Sequence, residues 1–406
     1  MILLVFVCSL AVFAGSRSLV LIQGADFPHF YCAARMLADG HGHQLFDADV
    51  QRQYQARYAG RVGTLYTHPP FEAVLYVVVA WLPLRYAYVL WSFLTIALLA
   101  VSARRMATDV PSPWNWRVLL AISLTFVPVL VCVLQGQDSL LLLLLVVLAF
   151  TALRRERGFA AGCWLALGLF KFQVVLPLAV ALVLTQSRSS RNGLAKGFSL
   201  TALALAGVSV AISGWSVLTI YPNFLLHFRE QPLGGIAPQA MPNFRGLTYL
   251  FLNRDQSNWA IATVLILSVA ALVTTLIAWK QARLACQLSP PVSAHAAFDL
   301  AFSNTVLFAL LVSYHLNPHD LAVVLLPISL LLRRILAQTP RLPNPAKWIT
   351  LGLLGILFLP PLHLWALTAG AYDVVSIPVL LLFLTSAAIG FTTRATNPGK
   401  ATTIRG

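Results

Sequence analysis

Residues 139–186 read SLLLLLLVVLAFTALRRERGFAAGCWLALGLFKFQVVLPLAVALVLTQ. An apolar run over 139–153 is followed by Arg154, Arg155 and Arg157. A second apolar length, 159–186, is broken only by Phe170-Lys171-Phe172-Gln173. A helix that crosses a bilayer needs about 20 apolar residues. The second length therefore fits one crossing with a lysine inside it, or two short helices of roughly 12 residues each that meet at Lys171. Further basic residues, Arg188, Arg191 and Lys196, come next. Loops rich in Lys and Arg stay on the cytoplasmic side, so the chain must return after Arg157 to the side it left. Two short helices with Lys171 at the outer turn satisfy that condition, and one long helix does not.

Composition puts the rest of the chain in the same solvent. Of 406 residues, 59% are hydrophobic and 10% charged, with a mean hydropathy of +0.79. Soluble domains carry roughly 25% charged residues, so a soluble, collagen-like, disordered or nucleic-acid-binding protein is excluded. The expected fold is an all-α polytopic membrane protein. Apolar runs recur at 2–22, 85–103, 117–134, 139–153, 195–213, 258–279, 299–313, 320–335, 348–366 and 374–392. The charge is lopsided, with 28 Lys+Arg against 13 Asp+Glu. The basic clusters sit between these runs, at Arg104–Arg105, Lys280–Arg283 and Arg333–Arg334 among others. Keeping all of them inside predicts about twelve spans with both ends cytoplasmic. Residues 24–84 and 214–257 are then outer segments, and 70–82 is a juxtamembrane helix in the outer interface. One transmembrane domain, 1–406, is expected, without a linker or repeat. The opening MILLVFVCSL reads as a first span. Five scattered cysteines without CxxC predict neither a disulfide framework nor a zinc site.

With so few acids, each can be located. None falls in the middle of an expected span, which argues against a proton-coupled transporter. Asp26, Asp138 and Asp320 lie at the outer ends of three different spans, the boundary at which a water-soluble acceptor could meet a lipid-borne donor. Each also has a plainer reading. Asp26 can start the helix that Pro28 opens, Asp138 can cap the 139–153 helix, and Asp320 suits a first helical turn. His315 and His319 share one turn with Asn317 and Asp320, but no HxH or HExxH spacing supports a metal there. His41 and His43 sit among turn residues and read as solvated. Lys171, flanked by two phenylalanines, either snorkels to the interface or binds an anionic group. Arg245, in Pro242-Asn243-Phe244-Arg245-Gly246, lies outside the inner face and is a candidate phosphate or saccharide ligand.

The chain resembles the integral-membrane glycosyltransferases of the GT-C superfamily, most closely glycosyltransferase family 87, also labelled DUF2029. The likeness begins with Asp26-Phe27-x-x-Phe30-Tyr31-x-Ala33-Ala34, followed by Gly42 to Leu45-Phe46-Asp47. It continues through Tyr66-Thr67-His68-Pro69-Pro70, Trp81-Leu82-Pro83-Leu84, Gly136-Gln137-Asp138-Ser139 and Ala161-Gly162 through Lys171. It ends with Asn243-Phe244-Arg245-Gly246-Leu247 and Ser313-Tyr314-His315 to His319-Asp320. Asp138 stands where the family more often has a neutral residue, and His-Leu-Asn-Pro-His-Asp replaces a tryptophan-containing form.

The resemblance implies a GT-C-like bundle in a bacterial inner membrane, with its active site on the periplasmic or extracellular side. It implies inverting transfer of a hexose, mannose in the family, from a polyprenyl-phosphate carrier to a lipid or glycan acceptor. Asp26 matches the catalytic aspartate as general base; Asp138, which departs from the family's pattern, is by its own position a candidate second carboxylate that positions the acceptor. Lys171, Arg245, His315 and His319 would hold the donor phosphate. Tyr31, His68, Gln137, Asn243 and Asp320 would bind substrate. The donor is a substrate and no resident cofactor is expected; whether a divalent metal ion is needed stays open. The implied partners are membrane lipids, the lipid-linked sugar and its acceptor, without nucleic acid. The rival readings are a lipid-linked sugar flippase or transporter and an inactive assembly subunit of the same fold.

Overall fold

A computed structural model describes residues 25–108, 115–227, 237–255, 257–288, 291–336 and 344–395. The described residues are helical or in loops, with no strand among them. Among the described residues, five helices are long and apolar enough to cross a membrane, and up to eight spans result if each of three bent pairs counts as one. The expected count of about twelve is not reached among the described residues. Residues 2–22, the expected first span, lie outside them. The 139–153 run forms a helix, Ser139–Arg154, of only 16 residues. The 320–335 run divides into a 3-10 turn, Pro318–Val324, and a 12-residue helix, Leu325–Leu336. Protein surrounds these short helices on most sides, so the length that a bilayer demands does not apply to them. The 70–82 segment contains the helix Pro70–Ala80, whose 11 residues are too few to span.

Where the apolar runs break, the cause is local. Trp116–Thr125 and Val127–Gln135 meet at a 75° bend. Pro128 opens the second helix without an N–H, and Phe126 before it is extended (ψ 114°). Gly158–Leu167 and Phe172–Thr185 are the two short helices expected over 159–186. Lys171 lies in the 3-10 turn that joins them. Gly158 lies against Ser190, so the chain comes back beside its starting point after passing Lys171. This return depends on backbone-to-backbone packing with the Arg188–Ser213 helix. A Cβ on Gly162 would stand 2.1 Å from the Leu194 carbonyl oxygen, and one on Gly197 would stand 2.1 Å from that of Phe159. Glycines spaced by four residues on both helices permit this approach, as in the small-residue interfaces of membrane helices.

The long helices Asn258–Leu288 and Pro291–Val312 pack with Ser376–Ala395 around Asn304. Its amide donates to the Phe383 carbonyl and to Ser386 Oγ, both at 3.0 Å, and its Oδ1 accepts from Thr275. Other faces of the bundle remain apolar and open. Leu200, Leu203 and Ile266 are at least 60% exposed, the pattern of lipid contact.

The two ends of the bundle differ. Met106, Arg154, Asp299 and Arg333 meet at one end, where Arg333 donates to Asp299 and to the Met106 carbonyl. The start of the Phe27–Ala38 helix, the 136–139 turn, Lys171 and the 315–320 turn meet at the other.

Candidate functional site

The 136–139 turn assembles the site. Gly136 ends the preceding helix in a left-handed conformation (φ +66°), and a Cβ there would stand 2.6 Å from Phe27 Cβ. Glycine is required on both counts. It lets the turn press against the start of the Phe27–Ala38 helix. Gln137 Nε2 then donates to Asp26 Oδ2 at 2.7 Å, while its Oε1 accepts from Lys171 Nζ at 3.1 Å. One amide thus links the carboxylate to the ammonium. Gln135 Oε1 holds the same segment by accepting from the Asp26 backbone N–H at 3.0 Å.

The plain reading of Asp26 and Asp138 as helix caps fails, because neither side chain makes a cap hydrogen bond. Asp320 does cap. It accepts from the Asn317 N–H at 2.9 Å, and also from Ser139 Oγ at 2.7 Å. Lys171 does not snorkel. It is 2% exposed and points into the bundle, with Nζ 3.2 Å from Asp320 and 3.4 Å from Asp138.

These groups border a cavity of about 880 Å³. Asp26, His68, Gln137, Lys171, His315 and His319 line it, joined by His29. Tyr221, Leu225, Leu226 and Phe172 form an apolar flank. Asp138 and Asp320 are completely buried behind this wall. Three expected site residues are elsewhere. The Tyr31 hydroxyl donates to the Leu82 carbonyl at 2.8 Å. Asn243 caps the Phe244–Leu252 helix and donates to the Ser313 carbonyl. Arg245 pairs with Asp255 through two nitrogens and stacks over Tyr314, a cavity residue, at 4.8 Å.

Glu72 carried no expectation, yet it is fully buried beside the site. Its Oε2 lies 2.7 Å from His68 Nδ1. An acid four residues after a histidine, inside an otherwise apolar helix, was the readable sign of it.

Burial sets the charge states. Desolvation by itself would raise the Asp26 carboxyl. It is outweighed by His29, His319, the Gln137 hydrogen bond and Lys171, and the group titrates below its ordinary value. Desolvation lowers His68 and His315 to about 4 and His29 to about 3, and depresses His319 as well. All four imidazoles are neutral at pH 7. His315 and His319, expected to hold the donor phosphate as cations or by hydrogen bonds, can therefore offer a bound group hydrogen bonds and not charge. Desolvation pushes Asp138 up to about 7 and Glu72 up to about 8, against the opposing pull of Lys171. Asp320 goes the other way: burial would raise it, but Lys171, His319 and its hydrogen bonds hold it well below the carboxylate range.

The arrangement pairs a hydrogen-bonded, ionised carboxylate with a desolvated ammonium across a half-apolar cavity. It can accept a proton at Asp26 and stabilise an anion near Lys171. No curated protein matches the chain. The sequence model of glycosyltransferase family 87 matches residues 66–313, more than half of its length.

Proposed function

Because the chain belongs to glycosyltransferase family 87, we propose that this membrane glycosyltransferase moves a hexose, mannose in the first instance, from a polyprenyl-phosphate carrier to a hydroxyl of a lipid or glycan acceptor. The observation that carries this reading is the Asp26–Gln137–Lys171 chain on the cavity wall. Asp26 takes the proton of the acceptor hydroxyl. The acceptor oxygen bonds to the anomeric carbon as the bond from that carbon to the phosphate oxygen breaks, which inverts the anomeric centre. A phosphate ester leaves without needing a proton, so one carboxylate suffices as base. The negative charge that develops on the leaving phosphate falls to Lys171, with hydrogen bonds from His315 and His319. The apolar flank at Tyr221, Leu225 and Leu226 suits the first isoprene units of the carrier. In this reading the protein sits in a bacterial inner membrane, its arginine-rich end in the cytoplasm and its cavity toward the periplasm.

The test is purified protein in detergent with a radiolabelled polyprenyl-phosphate sugar and candidate acceptors. Release of polyprenyl phosphate with transfer of label is expected. Asp26→Asn should lower kcat by about 10²–10⁴-fold while the protein stays folded and monodisperse. Normal turnover by that variant removes Asp26 from the chemistry. Movement of the labelled lipid between leaflets without transfer would make the protein a flippase.

A further inference from the structure

Beside the Asp26–Gln137–Lys171 chain, and not used by the proposed chemistry, lie His68, Glu72 and Asp138. One ligand atom from each, an imidazole nitrogen and two carboxylate oxygens, falls within 4.8 Å of the other two. Three elements of different origin converge there: the stretch before the Pro70–Ala80 helix, the first turn of that helix, and the turn ahead of Ser139–Arg154. Glu72 and Asp138 are completely buried, and the only groups that meet their four oxygens as hydrogen-bond neighbours among the described residues are members of the trio itself: His68 to Glu72, and Glu72 with Asp138. The neutral His68 ring, 2.7 Å from Glu72 Oε2, can share a hydrogen bond there but brings no positive charge. The nearest cation, Lys171, is 3.4 Å from Asp138 and is drawn the other way by Asp320 and Gln137. Buried carboxylates without donors are costly unless something positive sits among them.

We propose that His68, Glu72 and Asp138 form a binding site for one first-row divalent cation, of the Mn²⁺ or Zn²⁺ type. The donor set is one imidazole nitrogen and two carboxylates, which suits such ions better than a soft, thiolate-seeking metal. The spacing is one that bonds of about 2.0–2.3 Å span after small side-chain rotations. Charge counting supports the assignment. Acting as ligands, Glu72 and Asp138 would give up their protons and, with Asp320, set three negative charges against the single charge of Lys171. A divalent cation balances two of them and leaves Lys171 to Asp320 and to an incoming anion. His68 is the one ligand on the cavity wall, at 17% side-chain exposure, so the ion enters from the cavity. The site is independent of the identity of the sugar donor.

The experiment uses the full-length protein in detergent, stripped with a chelator and desalted. Mn²⁺ is titrated and the bound ion counted by electron paramagnetic resonance, with Zn²⁺ as competitor. One equivalent per chain is expected, displaced by Zn²⁺, together with a rise in Tm. Glu72→Gln and Asp138→Asn should each weaken binding by at least about tenfold. His68→Ala should do the same, and it keeps the test decisive if a buried variant fails to fold. Asp26→Asn should bind the ion normally while losing transfer, so failure of this site and failure of the proposed activity are told apart. A wild-type protein that takes up neither Mn²⁺ nor Zn²⁺ overturns the proposal, and the two carboxyls then hold protons. Unchanged binding in a folded Glu72→Gln/Asp138→Asn double variant overturns it equally.

Discussion

Two clusters of buried charge sit at opposite ends of the same bundle, and their arithmetic is reversed. At one end Asp299 lies between two arginines, 2.9 Å from Arg333 and 3.6 Å from Arg154, and Arg333 also reaches the Met106 carbonyl. At the other end Lys171 lies between two acids, with a third, Glu72, just beyond. The first cluster ties together the ends of four helices at the basic edge of the bundle, and its arginines keep 12–19% of their side chains exposed. That is the form of a clamp. The second cluster is dry, rich in acids and short of donors. A buried pair of this kind is weak evidence of stability and often costs more than a well-packed apolar substitute. Its placement on a cavity wall fits the binding and chemistry proposed for it.

Removing the central charge from each cluster separates the two roles. Lys171→Ala should raise the donor KM by about 10–100-fold, the worth of one charge-assisted hydrogen bond. An unchanged KM would reduce Lys171 to a structural counter-ion. Asp299→Asn should do the reverse. It should cost about 1.5–3 kcal/mol of stability, read as a lower Tm in detergent, while kcat per folded molecule stays at the wild-type value. Equal losses of activity per folded molecule in both variants would erase the distinction between the two ends.

The clamp was easier to read from the sequence than the site. Arginines at the ends of apolar runs mark one side of a membrane whatever their partners are, so 154–157 and 333–334 declared themselves. The pair of short helices around Lys171 followed from the same rule. The direction of the Lys171 side chain did not, because snorkelling and burial begin from the same local sequence. What decides between them is Asp138 and Asp320, brought in from 33 and 149 positions away along the chain. Asp26 was legible as a residue at a boundary, but its partner Gln137 depends on the left-handed turn at Gly136. Glu72 escaped because a lone acid in the first turn of a helix looks like an answer to the helix dipole. The count of spans is lower than expected among the described residues for a related reason. A hydropathy rule assumes lipid around each helix, and 139–154 and 325–336 have protein there instead.

Tyr31 gives a smaller and sharper contrast. It resembles a substrate ligand in the motif, yet its hydroxyl binds the Leu82 carbonyl, joining the Phe27–Ala38 helix to the turn after Pro70–Ala80. Tyr31→Phe should therefore behave like a change at the clamp end, costing about 1 kcal/mol of stability with donor and acceptor KM unchanged. A KM shift of tenfold or more for either substrate would bring Tyr31 back to the site.

The smallest expected effect is on the acid side of the pH profile, and it distinguishes the carboxylates within the acidic cluster. A general base works in its ionised form, so activity is lost as pH falls through its pKa. Asp26 titrates below the ordinary carboxylate value of 3.8. With Asp26 as base, kcat should stay level from about pH 8 down to about pH 5. Asp138 titrates at about 7, because burial disfavours its charge. A base at that position would make kcat fall tenfold per unit through the pH 6 region. The two carboxyls sit on either side of one amide-and-ammonium bridge, Gln137 and Lys171, and differ in what is aimed at them. Asp26 accepts a hydrogen bond from Gln137 and meets the cavity; Asp138 has only Glu72 as such a neighbour among the described residues and is sealed behind the wall. An acid-side inflection that rises in a Gln137→Ala variant, against a wild-type profile level down to about pH 5, would show that this amide helps to keep the base ionised.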